Sequence, residues 1–220
     1  MTISAVVFDL DGVIIDSERV WHEVRRDFAT AHGGRWTEAD QRAVMGDNSW
    51  QWAHHIRTAG GVGLPERSII AGVVALLTAR YRERLPLIEG AREAVLGLAH
   101  SYRLGLASSA PPEVIRFVLH AGGLAGVFSA WLSSDDVARG KPAPDAYLAI
   151  CDRLWAEPRA AVAVEDSTNG LLAARNAGLA VIAAPNPSYP PAAEGLEVAD
   201  LVVGSIADLT PEVVASLEHE

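Results

Sequence analysis

Three carboxylates lie along the otherwise apolar stretch VVFDLDGVIIDS, which covers residues 6–17. The apolar residues before the first aspartate are mostly β-branched, a pattern typical of a strand buried on both faces of a parallel sheet. Asp9 and Asp11 are two residues apart, so in an extended chain their side chains point the same way. Two close negative charges repel each other unless a cation or a shared proton intervenes. The stretch therefore predicts a cation beside the end of a strand.

Polar residues also follow later apolar runs. These runs predict further strands at residues 103–107, 130–134, 161–165, 181–184 and 201–204. Helical patterns separate them, so the chain is expected to form an α/β fold with a doubly wound parallel sheet. In such sheets ligands bind just beyond the carboxyl ends of the strands. The residues expected there are Ser108, Ser109, Lys141, Glu165 and Asp166, together with the first two aspartates.

Carboxylates from two strands make an oxygen-rich site of the kind that Mg²⁺ prefers. The candidate metal ligands are Asp9, Asp11, Glu165 and Asp166. An alternative for the second acidic pair is structural, since Asp166 or Ser167 could cap the N-terminus of the helix that follows.

Lys141 is the only lysine among 18 lysines and arginines. The chain uses arginine elsewhere, so this position favours a compact point charge over a planar guanidinium. The alternative is an ordinary surface charge.

The alternation of strand and helix fails between the first and second strands. Residues 18–86 read as successive helices, so we expect a discontinuous core of residues 1–17 and 87–220 and a separate helical domain of residues 18–86. Four tryptophans fall in this insert, namely Trp21, Trp36, Trp50 and Trp52. They are expected to form its aromatic core, and the alternative is that Trp50 or Trp52 lines a substrate cavity.

The composition limits the kinds of molecule that the protein is expected to bind. A net charge of -10 disfavours nucleic acid and acidic membrane surfaces and leaves small molecules as the expected ligands. Cys151 is the only cysteine, falls on the apolar face of a predicted helix and is expected in the core. No signal-like or membrane-spanning stretch is apparent, so we expect a cytoplasmic protein, monomeric or, as the alternative, dimeric.

The segments DLDGVIIDS, LASSA, GKPAPD and VEDSTNG, in this order, resemble the four motifs of the haloacid dehalogenase superfamily. More narrowly, they are similar to its phosphatase and β-phosphoglucomutase-like branch, in which a helical cap is inserted after the first motif. The resemblance implies an α/β Rossmann-like core with an inserted cap. The second aspartate of the first motif, Asp11, implies phosphoryl transfer, because dehalogenases and phosphonate-cleaving members lack it.

The resemblance also implies a role for each motif residue. Asp9 would be the nucleophile and Asp11 the general acid and base, with Mg²⁺ held by the acidic residues named above. Ser108 and Lys141 would bind and neutralise the transferring phosphoryl group, although either Ser108 or Ser109 could supply the hydroxyl. Further substrate-binding residues are expected to be Ser109, Gly12 and Asn169.

Departures from the mutase pattern favour a hydrolase. In the run VMGDNSWQW, Met45 and Ser49 stand where mutases carry basic residues, and Trp21 replaces a histidine. The expected function is Mg²⁺-dependent hydrolysis of a small, sugar-like phosphomonoester through an aspartyl-phosphate. The alternatives are a β-phosphoglucomutase-like mutase, to which Arg35, Arg42 or Arg57 would supply the second phosphate site, and a non-catalytic binding protein.

Overall fold

The computed structural model describes residues 2–217, and its centre is a six-stranded sheet. The strands are β1 (Ala5–Phe8), β2 (Arg103–Ser108), β3 (Ala130–Ser133), β4 (Ala161–Glu165), β5 (Ala180–Ala183) and β6 (Leu201–Val202). Their order is β3-β2-β1-β4-β5-β6, and every neighbouring pair is parallel. The predicted doubly wound α/β sheet is confirmed, and its order reverses beside β1, where such folds bind ligands.

Six of the described helices belong to the core and four to the insert. The insert contains α1 (Glu18–Ala31), α2 (Glu38–Ala43), α3 (Ser49–Thr58) and α4 (Glu66–Glu83). The core contains α5 (Ala91–Leu98), α6 (Pro112–Ala121), α7 (Asp145–Arg153), α8 (Thr168–Asn176), α9 (Ala193–Glu197) and α10 (Pro211–Ala215).

The central strand β1 is buried on both faces. Val6 and Phe8 pack into one apolar cluster, and Ala5 and Val7 pack into another on the opposite side of the sheet. This alternation follows from the two-residue period of a strand. Cys151 lies fully buried in the second cluster, as predicted. Within residues 2–217 no helix combines the length and apolar character needed to cross a bilayer.

Helices are the only regular elements of the insert between residues 18 and 83. Thr37 begins α2 with a capping box, in which its hydroxyl accepts from the amide of Asp40 and the Asp40 carboxylate accepts from the amide of Thr37. The glycine-rich segment at residues 59–63 joins α3 to α4, so it is a turn between helices.

Three of the four tryptophans of the insert are buried. Trp21, Trp36 and Trp52 are at most 5% exposed, whereas Trp50 is 48% exposed. The prediction of an aromatic core is confirmed for these three, and it is wrong for Trp50, whose ring packs beside Arg67 at the surface.

The two chain segments that join the insert to the core lie side by side. The amide of Asp16 donates to the carbonyl of Pro86 at 2.8 Å, and the amide of Ile88 donates to the carbonyl of Ile14 at 3.0 Å. The insert is thus connected to the core through one narrow, paired base.

Candidate active site

The carboxyl ends of β1, β2 and β4 meet at one edge of the sheet. Asp9 directly follows β1, Ser108 ends β2 and Glu165 ends β4. Because these strands are parallel neighbours, their final residues lie on the same side of the sheet. Lys141 approaches this edge from the segment before α7. The residues that the sequence placed at strand ends are therefore close together in space.

Lys141 lies at the centre of this group. Its ammonium donates to Oδ1 of Asp9 at 2.7 Å, to Oε1 of Glu165 at 2.5 Å and to the carbonyl of Ala107 at 3.2 Å. The side chain is only 2% exposed, so the alternative of a surface charge is wrong. Burial lowers the pKa of Lys141, but the charges of Asp9 and Glu165 outweigh burial and hold it well above its usual value. The ammonium is therefore a permanent positive charge at neutral pH.

The acidic residues outnumber this single cation. Asp9, Glu165 and Asp166 each bring one carboxylate oxygen into a buried group whose atoms lie within 4.8 Å of one another. Burial raises the pKa of Asp9 to about 8, Lys141 opposes that rise, and Glu165 and Asp11 add to it. Burial, together with Glu165 and Asp9, also raises the pKa of Asp166 well above its usual value. A hard, oxygen-binding cation such as Mg²⁺ fits these donors, because it offsets the excess negative charge.

Glu165 is held in place by five hydrogen bonds. Oε1 accepts from Lys141 and from the Tyr147 hydroxyl, and Oε2 accepts from the amides of Asp166 and Ser167 and from the Ser167 hydroxyl. Its oxygens are thus occupied by the protein, which makes Asp9 and Asp166 the better candidates for metal ligands. Ser167 also caps α8 by accepting from the amide of Gly170, so the capping alternative applies to Ser167 and not to Asp166.

Asp11 has a different set of partners from Asp9. Its Oδ1 accepts from the Ser17 hydroxyl at 2.5 Å and from Nε1 of Trp21 at 2.9 Å. Its Oδ2 lies 3.4 Å from the hydroxyl of Ser108. Trp21 belongs to α1, so a side chain of the insert holds one carboxylate of the core. The environments of the two aspartates therefore differ, as distinct chemical roles require.

Two glycines make room for the acidic side chains. A Cβ atom on Gly12 would lie 1.8 Å from Oδ2 of Asp166, and one on Gly170 would lie 1.7 Å from Oε1 of Glu165. Both distances are far below van der Waals contact, so any larger residue would displace a carboxylate. Gly12 also has a φ of 80°, which favours glycine.

The remaining predicted site residues lie around this centre. The Ser108 hydroxyl faces Asp11, whereas the Ser109 hydroxyl donates to the carbonyl of Gly46 in the insert at 2.8 Å. Asn169 lies beside Gly46, since a Cβ atom built on that glycine would be 3.5 Å from Nδ2 of Asn169. Of the residues predicted to bind substrate, Ser109 lines the cavity over the carboxylates, while Gly12 lines a neighbouring depression.

The insert closes the cavity from the opposite side. The lining residues of the insert are Glu18, Trp21, Arg25, Val44, Met45, Gly46, Asp47 and Trp52. Trp52 is therefore both part of the aromatic core and one of the residues that line this cavity. Ser49 instead points to the core, where its amide donates to Oδ1 of Asp135 at 2.8 Å.

Sequence reasoning missed several of these residues. Glu18, Trp21 and Arg25 are three and four positions apart, a spacing that puts them on one face of α1 and could have revealed them together. No local pattern marks Tyr147, which reaches Glu165 only through the packing of α7 against the sheet.

The chain is similar to a known hydrolase family and to several known phosphatases. A model of the haloacid dehalogenase-like hydrolase family matches residues 3–178. Hexitol phosphatase B of Escherichia coli K12 is 30% identical over 216 residues, covering 94% of this chain and 95% of the relative. A phosphorylated carbohydrates phosphatase of Thermotoga maritima is 31% identical over 176 residues, covering 80% and 82%. The crystal structure of CbbY from Rhodobacter sphaeroides in complex with phosphate has a TM-score of 0.86 at 25% identity and covers 98% of this chain and 100% of its own.

Proposed function

This chain belongs to the haloacid dehalogenase-like hydrolases, and from that membership we propose that it is a Mg²⁺-dependent phosphatase of a small, sugar-like phosphomonoester. The observation that carries the proposal is the pair of aspartates with separate partners. Lys141 binds Asp9, whereas Ser17 and Trp21 bind Asp11. The division supports a nucleophile beside a fixed positive charge and an acid and base turned toward the cavity.

In the first step, a carboxylate oxygen of Asp9 forms a bond to phosphorus while the ester oxygen leaves on the opposite side. Asp11 donates a proton to the leaving oxygen. Oδ1 of Asp11 accepts two hydrogen bonds and Oδ2 accepts only the longer one from Ser108, so Oδ2 is the oxygen that would carry this proton. The products of the step are the free alcohol and an aspartyl-phosphate on Asp9.

In the second step, a water molecule loses a proton to Asp11 and its oxygen attacks the phosphorus. The bond between phosphorus and Asp9 breaks, which restores the carboxylate and releases phosphate. Lys141 neutralises charge on Asp9 throughout, and the Ser108 hydroxyl and the Ser109 amide would hold the phosphoryl oxygens.

Asp9, Asp166 and the main-chain carbonyl of Asp11 would hold Mg²⁺, with Glu165 as a neighbouring carboxylate. When bound there, the ion would neutralise the carboxylates and the phosphoryl oxygens as they approach each other.

The cation content of the cavity favours hydrolysis over a mutase reaction. A mutase must bind a second phosphate, yet Arg25 and Lys141 are the only basic residues that line the cavity within the described part of the chain. The candidates that the sequence offered, Arg35, Arg42 and Arg57, are all exposed, and Arg57 pairs with Glu66 instead.

The insert, residues 18–86, would act as a cap that opens for substrate and closes for chemistry. Its narrow base supports motion as one body, with hinges near Ser17 and at residues 87–90. Contacts between the two parts support a closed state, since Gly46 of the insert accepts from Ser109 of the core.

Phosphate release from a panel of sugar and aryl phosphates with Mg²⁺ tests this function. We expect release by the wild type and a loss of at least about a thousandfold in Asp9→Asn, whose amide is isosteric but cannot attack phosphorus. Asp152→Asn, at an exposed position of α7, is the matched control and should retain full activity. Activity in Asp9→Asn above a few per cent, or transfer of phosphate to another position of the same sugar, would refute the proposal.

A further inference from the structure

Arg25 is a buried cation on the cap side of the catalytic cavity. Its side chain projects from α1, is 6% exposed and lines the same cavity as Asp9 and Asp11. Neither step of the proposed hydrolysis uses Arg25. Burial lowers the pKa of Arg25 to about 10, so the guanidinium remains charged at neutral pH.

The protein satisfies this guanidinium only in part. Its Nη1 donates to Oε1 of Gln41 at 3.1 Å, but its Nε has no hydrogen-bond partner. Within residues 2–217 no carboxylate forms an ion pair with it at 4.0 Å or less. Leaving a donor of a buried charge unsatisfied is costly, and the oxygens of a ligand in the cavity would supply the missing acceptor.

Aromatic rings hold Arg25 against the cavity. Its guanidinium carbon lies 4.5 Å from the ring centroid of Trp21 and 5.2 Å from that of Trp52. Both rings also line the cavity. The guanidinium covers one face of each ring. The ring atoms that line the cavity give it an apolar wall that suits the C–H groups of a sugar or sugar alcohol, while the guanidinium donors suit its oxygens.

The charges around Arg25 limit what can bind. Glu18 and Asp47 line the same cavity, and Gln41 links Arg25 to Glu18 by donating to Oε2 of Glu18 at 3.0 Å. One cation beside two carboxylates offers no excess positive charge to a second anion. Hydroxyl groups fit better, because each can accept from Arg25 and donate to a carboxylate.

We propose that Glu18, Trp21, Arg25, Asp47 and Trp52, here called the Arg25 surface, bind an uncharged polyhydroxylated leaving group, with Arg25 as the residue that determines specificity. The proposal rests on the proposed phosphatase function and adds the chemical class of the alcohol that is released. It excludes leaving groups that carry a carboxylate or a second phosphate.

Steady-state kinetics with four phosphate esters test the proposal. The probes are sorbitol phosphate, phosphoglycolate, a hexose bisphosphate and p-nitrophenyl phosphate, which has no hydroxyl groups on its leaving group. The wild type should hydrolyse sorbitol phosphate with a kcat/KM at least about tenfold above that for phosphoglycolate or the bisphosphate, each of which carries a second anionic group. A factor of this size is the effect of one hydrogen bond to a charged donor.

Variants assign this preference to Arg25. Arg25→Met should lower kcat/KM for sorbitol phosphate by about 10- to 100-fold, mostly through KM, and the loss on p-nitrophenyl phosphate should be at least about tenfold smaller. Arg19→Met, at an exposed arginine of the same helix, should match the wild type on both substrates. If Arg25→Met does not fold, Arg25→Lys, which keeps the charge but loses the fork of donors, should show the same selective loss.

Equal losses on both substrates would show that Arg25 only supports the fold and would overturn the proposal. A wild type that prefers phosphoglycolate or the bisphosphate would overturn it as well. Hydrolysis of p-nitrophenyl phosphate without hydrolysis of sorbitol phosphate would refute the Arg25 surface while leaving the phosphatase function intact. Hydrolysis of no ester would refute both.

Discussion

Substitution of Lys141 is expected to show whether the site requires the shape of its ammonium group or only its positive charge. The ammonium has three protons, and the structure gives them three acceptors, on Asp9, Ala107 and Glu165. A guanidinium keeps the charge, but its planar fork cannot direct donors from one point toward three surrounding oxygens. A displacement of about 1 Å at a reacting centre costs on the order of a hundredfold in rate. We therefore expect Lys141→Arg to lower turnover by roughly 10- to 100-fold.

Lys141→Met removes the charge and should reduce stability as well. It leaves the buried carboxylates of Asp9 and Glu165 without their shared cation, and loss of one partner of a buried pair costs about 3–5 kcal/mol. In a protein of this size that loss corresponds to a fall in melting temperature of about 6–20 °C.

The assay combines phosphate release from p-nitrophenyl phosphate at saturating Mg²⁺ with thermal unfolding of the same samples. A Lys141→Arg variant with wild-type turnover would show that charge alone suffices and would refute the geometric reasoning. A Lys141→Met variant that melts with the wild type would show that the ion pairs contribute no net stability.

Three further outcomes follow from the site. Burial raises the pKa of Asp9 from 3.8 to about 8 and also raises the pKa of Asp166, so the folded, metal-free protein holds a proton that the unfolded chain lacks, and its stability should fall as pH rises from about 4 to 8. Mg²⁺ replaces that proton and should therefore raise the melting temperature more at the upper end of this pH range than at the lower end. Equal increases in melting temperature at the two ends would contradict this expectation. Gly12→Ala should displace Asp166 and lower activity by at least about tenfold. Gly61→Ala is the control, because Gly61 has a similar φ of 76° but a Cβ there would have no atom within 4 Å, so this variant carries the backbone strain alone. Comparable activity in the two variants would exclude the clash as a cause. Trp21→Phe removes a hydrogen-bond donor to Asp11, the expected general acid. Kinetics on both substrates should show that hydrolysis of alkyl phosphates slows by about tenfold more than hydrolysis of p-nitrophenyl phosphate, whose leaving group needs little protonation.

The amino-acid sequence by itself determined the sheet and the composition of its catalytic edge. Short β-branched runs such as residues 5–8 specify buried parallel strands, because only strands covered on both faces are apolar without alternation. Parallel strands bring their carboxyl ends together, so polar residues at those ends must meet. This rule places Asp9 and Glu165 in one site, whereas Lys141 lies beyond the end of β3 and was expected there as the only lysine and from the family motif.

Only the tertiary structure decided how the cap completes this site. Trp21 reaches Asp11, Arg25 faces the cavity and Ser49 turns away to Asp135. Helical spacing puts Trp21 and Arg25 on one face of α1, but it does not give the residues that this face meets. Each of these contacts depends on how helices of the insert pack over a sheet formed by residues far away in the chain. Hydrophobic periodicity gives the buried face of a helix, but not the partner against which that face packs. The selectivity for the leaving group therefore depends on how the insert packs over the core. The residues proposed to act at phosphorus, in contrast, can be identified from the sequence near the ends of the strands.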